Sequence, residues 1–166
     1  MKTTILSSAR LRRLRGQGFT TQSDQLLSDM AFGIRFAYKL CLSFIVLGLV
    51  TQRIEFFAAM TVIAFLGVVL PNHPFDYIYN RILSVVMTRP KLPKRSSQLK
   101  FACSIATTWL ASVSYLMYSG NTTAAMILAG VLASVVLLLS TTDICIPSIF
   151  YNLMFPQEIE PKVKLS

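Results

Sequence analysis

The stretch that decides the fold is Pro71–Lys100, PNHPFDYIYNRILSVVMTRPKLPKRSSQLK. Its first half has apolar residues at helical spacing, with Asp76 in the first turn, where a carboxylate complements the helix dipole. Tyr77 and Tyr79 suit a membrane headgroup zone, where the hydroxyl of an amphipathic ring stays in water. The second half is basic, and its two prolines stop the helix. A short soluble connecting helix would fit 73–88, but the long apolar runs on both sides favour an interfacial helix.

The composition points to a membrane protein. The chain has 166 residues, of which 54% are hydrophobic, and its mean hydropathy is +0.58, too high for an ordinary soluble domain. We therefore predict an all-α membrane protein with four transmembrane helices in two hairpins, plus short interfacial amphipathic helices. The predicted regions are a basic cytoplasmic arm (1–30), a four-helix membrane domain (31–155) with hairpins 32–70 and 99–142 and surface segments 73–88 and 146–155, and a polar tail (156–166).

The basic residues are distributed unevenly. The net charge is +9, and Arg53 alone of the sixteen Lys and Arg residues falls on the predicted outer side. This positive-inside pattern predicts cytoplasmic N- and C-termini. Anionic lipid headgroups are the expected partners of these charges, and no nucleic-acid-binding motif competes. Residues predicted to face lipid or a partner are Arg10, Arg12, Arg13, Arg15, Arg89, Lys91, Lys94 and Arg95. The arm that holds the first four is either a short surface helix or a loose chain.

Small residues recur at four-residue spacing along the last predicted span. Side chains of this size allow the backbone of another helix to approach closely. The predicted packing face comprises Ala125, Ala129, Gly130, Ala133 and Ser134. It serves either packing within this chain, association with a second copy, or contact with a different membrane protein.

Three cysteines and one histidine are predicted to lie near one depth. Cys41 and Cys103 fall just inside the basic ends of their helices, and Cys145 follows the last span, near the level of His73. A Cys₃His set can bind zinc. The spacing, however, matches no ligand motif, and cysteine in a membrane helix commonly fills space as a small apolar residue. We therefore keep these four residues as a candidate thiol cluster and predict no metal site, no cofactor and no catalytic residue.

Several motifs resemble a known family. HPFDYIYN, the following Pro-Lys-Leu-Pro, Lys100-Phe101-Ala102-Cys103 and DICIPSIFY are similar to motifs of bacterial membrane proteins grouped as the domain-of-unknown-function 4395 family. The resemblance covers roughly 31–155. It implies a location in the bacterial inner membrane. Many members carry Cys-x-x-Cys in the closing motif, where this chain has Cys145 and Ser148, and some occur near thioredoxin-like or sulfurtransferase domains.

Three functional hypotheses follow. The first is a non-enzymatic accessory or structural subunit of a larger membrane complex, which rests on the small-residue face, the basic cytoplasmic belt and the predicted surface helices. No nucleotide loop, metalloprotease signature or catalytic triad is present. The alternative, which rests on Cys145 and the resemblance, is a thiol-linked membrane partner of a thioredoxin-like or sulfur-transfer protein. A transporter is disfavoured, since the predicted spans place no charged residue in mid-membrane.

Overall fold

The computed structural model describes residues 5–156, and all regular structure in that range is helical. The predicted polar tail, apart from Pro156, lies outside the described residues. The helices are α1 (Ser8–Gly16), α2 (Asp24–Thr51), α3 (Ile54–Val69), α4 (Pro74–Ile78), a π-helical turn (Tyr79–Leu83), α5 (Ser84–Val86), α6 (Ser97–Tyr118), α7 (Thr122–Thr142) and α8 (Ile146–Met154).

Three helices, α2, α6 and α7, are each long and apolar enough to cross a membrane. Helix α3 has only 16 residues. It meets the same criteria only together with the segment Pro74–Val86, which follows it after a bend of 79°. The structure therefore supports three candidate spans, or four if the bent pair counts as one.

Helix α2 begins eight residues before the predicted start of the first span. The hydroxyl of Ser23 accepts a hydrogen bond from the Leu26 N–H, which caps the new N-terminus. Leu27 and Met30 in the added turns are buried in the same apolar cluster as Leu11 and Leu14 of α1. Residues 24–30 thus belong to the first long helix, and α1 is a helix packed on the protein rather than a loose chain.

The four long helices enclose an apolar core. Helix α2 contacts α3 and α7, and α6 contacts the same two helices. Phe57, Met60, Leu110 and Val113 are at most 2% exposed in this core. A second apolar cluster contains Leu11 and Leu14 of α1, Leu27 and Met30 of α2, and Tyr79.

Tyr79 differs from the prediction. Its ring is fully buried, and a Cβ at Gly33 would lie 2.5 Å from it, so only glycine leaves room for the ring. Its hydroxyl has no hydrogen-bond partner among the described residues, whereas the sequence placed it in water. A π-helical turn has more residues per turn than an α-helix, so the set of inward-facing positions shifts across it.

Candidate functional site: a buried arginine and thiol cluster

Asp76 and Arg95 form a buried ion pair at the start of α4. Arg95 Nε lies 2.6 Å from Asp76 Oδ2, and Nη2 lies 3.2 Å from Oδ1. The two side chains are only 8% and 5% exposed. This bidentate geometry is the strongest that a guanidinium and a carboxylate adopt.

The same carboxylate caps α4 through His73. Asp76 Oδ2 accepts a hydrogen bond of 3.1 Å from the His73 N–H, and the Phe75 N–H donates to His73 Nδ1 at 3.3 Å. Burial, followed by the positive charge of Arg95, lowers the pKa of His73 to about 4, although Asp76 opposes the shift. His73 is therefore neutral at physiological pH, with its proton on Nε2.

Hydrogen bonds hold the proline-containing segment that ends at Arg95 against the bend after α3. This contact turns Arg95 toward the interior of the protein. The Arg95 N–H donates to the Pro71 carbonyl at 2.8 Å, and the Asn72 amide donates to the Pro93 carbonyl at 2.9 Å. Asn80 both accepts from the Leu92 N–H and donates to its carbonyl. The sequence predicted that Arg95 faces lipid or a partner. In the structure, Arg95 instead points into the protein, where it pairs with the buried carboxylate of Asp76.

The three cysteines and His73 line one cavity of about 90 Å³. Arg95, which also lines this cavity, donates from Nη1 to the sulfur of Cys103 at 3.4 Å. The Ser148 hydroxyl donates to the sulfur of Cys145 at 3.0 Å. The four residues of the candidate thiol cluster thus lie together around this cavity, with Arg95 beside them.

The geometry of the thiol cluster does not suit a metal ion. Within residues 5–156, no three His, Cys, Asp or Glu side chains are arranged to hold one. Burial raises the pKa of Cys145, against the hydrogen bond from Ser148 and the charge of Arg95. A protonated thiol is a poor nucleophile. Cys103 and Cys145 are thus buried thiols, and the guanidinium of Arg95 beside them is already paired with Asp76.

A second buried carboxylate lies at the end of α7. Asp143 is in the left-handed region at φ 61° and accepts from Arg10 Nε at 2.8 Å and from Arg35 Nε at 2.7 Å. Arg13 and Arg35 also donate to the carbonyls of Thr142 and Thr141. These cations satisfy carbonyls that an α-helix leaves unpaired at its C-terminus.

Gln17 connects the two carboxylate sites. Its side-chain amide donates to the Asp143 carbonyl at 2.8 Å and its oxygen accepts from the Tyr38 hydroxyl at 3.0 Å. The Ser96 hydroxyl, next to Arg95, donates to the Gln17 carbonyl at 2.6 Å. Gly18, at φ 95°, lies so close to Ser96 that a Cβ there would overlap it. One buried glutamine therefore joins the ends of α1 and α7 to α2 and to the start of α6.

The other predicted residues are divided between the core and the surface. In the predicted packing face, Ala125 and Ala129 are fully buried, Gly130 has nothing within 4 Å of an added Cβ, and Ser134 is exposed. Among the basic residues, Arg12, Lys91 and Lys94 are exposed. Arg15 pairs with Asp24 at 2.6 Å, and Arg89 lies over the Phe32 ring, 5.1 Å from its centroid.

The family described as Domain of unknown function (DUF4395) matches residues 31–155. The chain belongs to this family. The matched range includes both carboxylates, Arg95 and all three cysteines, but it excludes α1 and Gln17. No curated protein and no solved structure matches the chain.

Sequence reasoning placed Asp76 in the first turn of the interfacial helix, but it paired neither Asp76 nor Asp143 with an arginine. A signal was present, since the chain has only seven acidic residues and two of them, Asp76 and Asp143, follow the ends of the two predicted hairpins. A carboxylate at such a position is buried only when a cation accompanies it. Gln17 offered no comparable signal, because a glutamine in a basic segment is normally predicted to be exposed.

Proposed function

We propose that this member of the family is a small, non-enzymatic membrane protein that serves as an accessory subunit of a larger membrane complex. The observation that carries the proposal is that the buried ionic groups are paired within the chain. Asp76 is bound by Arg95, and Asp143 by Arg10 and Arg35. A buried carboxylate that is already paired within the chain supports a structural role better than acid–base catalysis.

Exposed apolar side chains support a location in a membrane and contact with another protein. On α7, Ile127 is 64% exposed and Leu137 51% exposed. On α8, Leu153 and Met154 are exposed to a similar or greater extent. Such surfaces in a chain of this size mark contact with lipid or with a partner.

Partner contact through α7 can be separated from folding by one matched pair of variants. Gly130→Leu adds a side chain into open space, whereas Ala129→Leu adds one to a fully buried position. We expect mild-detergent purification of the wild-type chain to recover a stoichiometric membrane partner. Gly130→Leu should reduce that recovery at unchanged thermal stability, and Ala129→Leu should lower the stability itself.

Two outcomes would contradict this proposal. Purification of the wild-type chain alone, without a stoichiometric partner, would exclude an accessory subunit. Unchanged partner recovery with Gly130→Leu would place this face of α7 against lipid and move the contact elsewhere.

For the orientation, we propose the bacterial inner membrane with both termini in the cytoplasm. The clustering of Lys and Arg in the segments up to residue 39 and over 81–100 supports it. Reporter fusions should place the Lys91 region inside and the turns at Arg53 and Asn121 outside. A fusion at Lys91 that reports from the outside would reverse the orientation.

The shared cavity of the cysteines favours a second candidate, a thiol-linked partner of a thioredoxin-like or sulfur-transfer protein. Against it, Cys145 is only 4% exposed and Ser148 supplies no second thiol. We expect Cys145→Ser to leave assembly intact. If the wild-type chain is trapped in a mixed disulfide with another protein and Cys145→Ser is not, the thiol-linked role replaces the accessory one.

A further inference from the structure

A cleft of about 470 Å³ lies between α1 and α8 beside the end of α7. Its lining includes Arg12, Arg13, Gln17, Ser148, Ile149 and Asn152. The Asn152 amide donates to the Gly16 carbonyl at 2.7 Å and accepts from Gln98 at 3.2 Å, which ties α1, α6 and α8 together. The cleft is therefore held by hydrogen bonds across helices.

The cleft carries an excess of positive charge. Among residues 5–156, Arg12 and Arg13 line the cleft together with one carboxylate, Asp143, and Arg10 and Arg35 already bind both of its oxygens. Arg13 donates one N–H to the Thr142 carbonyl, which carries no formal charge. Arg12 is exposed and has no ion pair or hydrogen bond among residues 5–156. Within the described part of the chain, Arg12 and Arg13 thus offer guanidinium donors without a compensating anion.

Apolar residues adjoin this charge on α8. Ile149, which lines the cleft, is 59% exposed, and Leu153 one turn further is 76% exposed. A free inorganic anion would gain nothing from these side chains, whereas a lipid places a charged phosphate next to acyl chains. The juxtaposition therefore suits a molecule that is anionic at one end and apolar at the other.

We propose that the cleft between α1 and α8 binds the phosphate of an anionic phospholipid, with Arg12 and Arg13 as its ligands and the acyl chains along Ile149 and Leu153. Guanidinium groups bind phosphate through charge-assisted, often bidentate hydrogen bonds. The proposed site differs from general attraction by a basic surface, because among the described residues Arg12 and Arg13 are the basic ones that line the cleft, while Lys91 and Lys94 do not. This inference rests on the membrane location proposed above.

The test compares two double variants with the same change in charge. The full chain in detergent is titrated with phosphatidylglycerol or with phosphatidylcholine of the same acyl chains, and bound lipid is measured by native mass spectrometry. We expect phosphatidylglycerol to bind more tightly. Arg12→Gln with Arg13→Gln should weaken its binding about tenfold, a typical effect of removing charged hydrogen bonds. Lys91→Gln with Lys94→Gln should leave it within about twofold, since exposed charges outside the cleft contribute little.

Because Arg13 also contacts α7, Arg12→Gln alone is measured as well, and we expect it to weaken binding with no change in melting temperature. Equal losses in both double variants, or equal binding of the two lipids, would overturn the proposal. Competition by excess inorganic phosphate as effective as that by phosphatidylglycerol would also overturn it, in favour of a free-anion site. The measurement uses the chain without a partner, so failure to recover a membrane complex leaves its result unaffected.

Discussion

Asp76 and Asp143 are both buried carboxylates, but their negative charges are neutralised in different ways. Asp76 and its one cation, Arg95, are both enclosed, and they are 19 residues apart in the chain. Asp143 is equally buried, but its cations Arg10 and Arg35 remain 30% and 24% exposed and lie 133 and 108 residues away. The first pair anchors a connecting segment, and the second joins the start of the chain to its last long helix. We expect loss of a cation to cost more at the enclosed site, where water cannot replace it.

The largest effect should come from Arg95→Met. The substitution leaves the Asp76 carboxylate buried without a cation, which typically costs about 3–5 kcal/mol. Denaturant unfolding in detergent measures the loss, and Lys94→Met, at an exposed neighbour, is the matched control. Adding Asp76→Asn to Arg95→Met should restore part of the stability. If Arg95→Met has the same free energy of unfolding as the wild type, the enclosed ion pair contributes no more to stability than a surface pair does.

A second test varies pH at the enclosed site. The pKa of His73 is about 4 in the folded protein, against 6.5 as its ordinary value, so the unfolded chain binds more protons between these values. The stability that neutral His73 contributes is complete above pH 6.5 and falls as the pH decreases toward 4. The loss should reach roughly 2 kcal/mol at pH 5 and about 3 kcal/mol near pH 4.

The control for this pH dependence is His73→Asn, which retains a side-chain acceptor for the cap but does not titrate. The difference between wild type and variant isolates His73 from the carboxylates that also titrate in acid. If the free energies of unfolding of the wild type and of His73→Asn decrease in parallel from pH 7 to pH 4, water reaches His73. Its site is then less enclosed than that of Asp143.

Asp143→Asn should have an intermediate effect. It removes the charge that holds Arg10 and Arg35, but both arginines already reach water, so we expect a loss of about 2 kcal/mol. The loss should be concentrated at the contact of α1 with α7. Hydrogen exchange of amides in Ser8–Gly16 should accelerate while exchange in the core stays slow. Equal acceleration throughout the protein would show that this site, like the enclosed one, supports the whole fold.

The smallest expected effects come from one glycine at each site. A Cβ at Gly67 would lie 2.5 Å from the His73 ring and 3.1 Å from the Cys103 sulfur. Gly67→Ala should therefore cost about 1–3 kcal/mol. At Gly16, the nearest atom, Asn152 Nδ2, is 4.0 Å away, so Gly16→Ala should be neutral or stabilise by up to about 1 kcal/mol. Thermal unfolding compares the two, and equal melting temperatures would show that the enclosed site can expand.

The prediction of the long helices succeeded best where apolar runs are continuous. Helix α7 ends at residue 142, the predicted end of the second hairpin, and α3 ends one residue before the predicted end of the first hairpin. The start of α2 was missed because its first turns are amphipathic and find their apolar neighbours only on α1. The candidate thiol cluster was identified by depth alone. That all four residues line one cavity depends on the rotation of each helix about its axis, which neighbouring helices set.

The sequence by itself determined the helical class, the apolar segments and the helix ends near His73 and Cys145, because hydrophobic spacing, prolines and capping residues act over a few positions. Only the tertiary structure decided the partners of Asp76 and Asp143 and the central place of Gln17. These depend on contacts between distant segments, and any of several arginines could have served each carboxylate. Arg95 pairs with Asp76 because hydrogen bonds to Pro71 and Asn72 hold the segment of Arg95 next to α4. Arg10 reaches Asp143 because burial of Leu11 and Leu14 places α1 beside the end of α7.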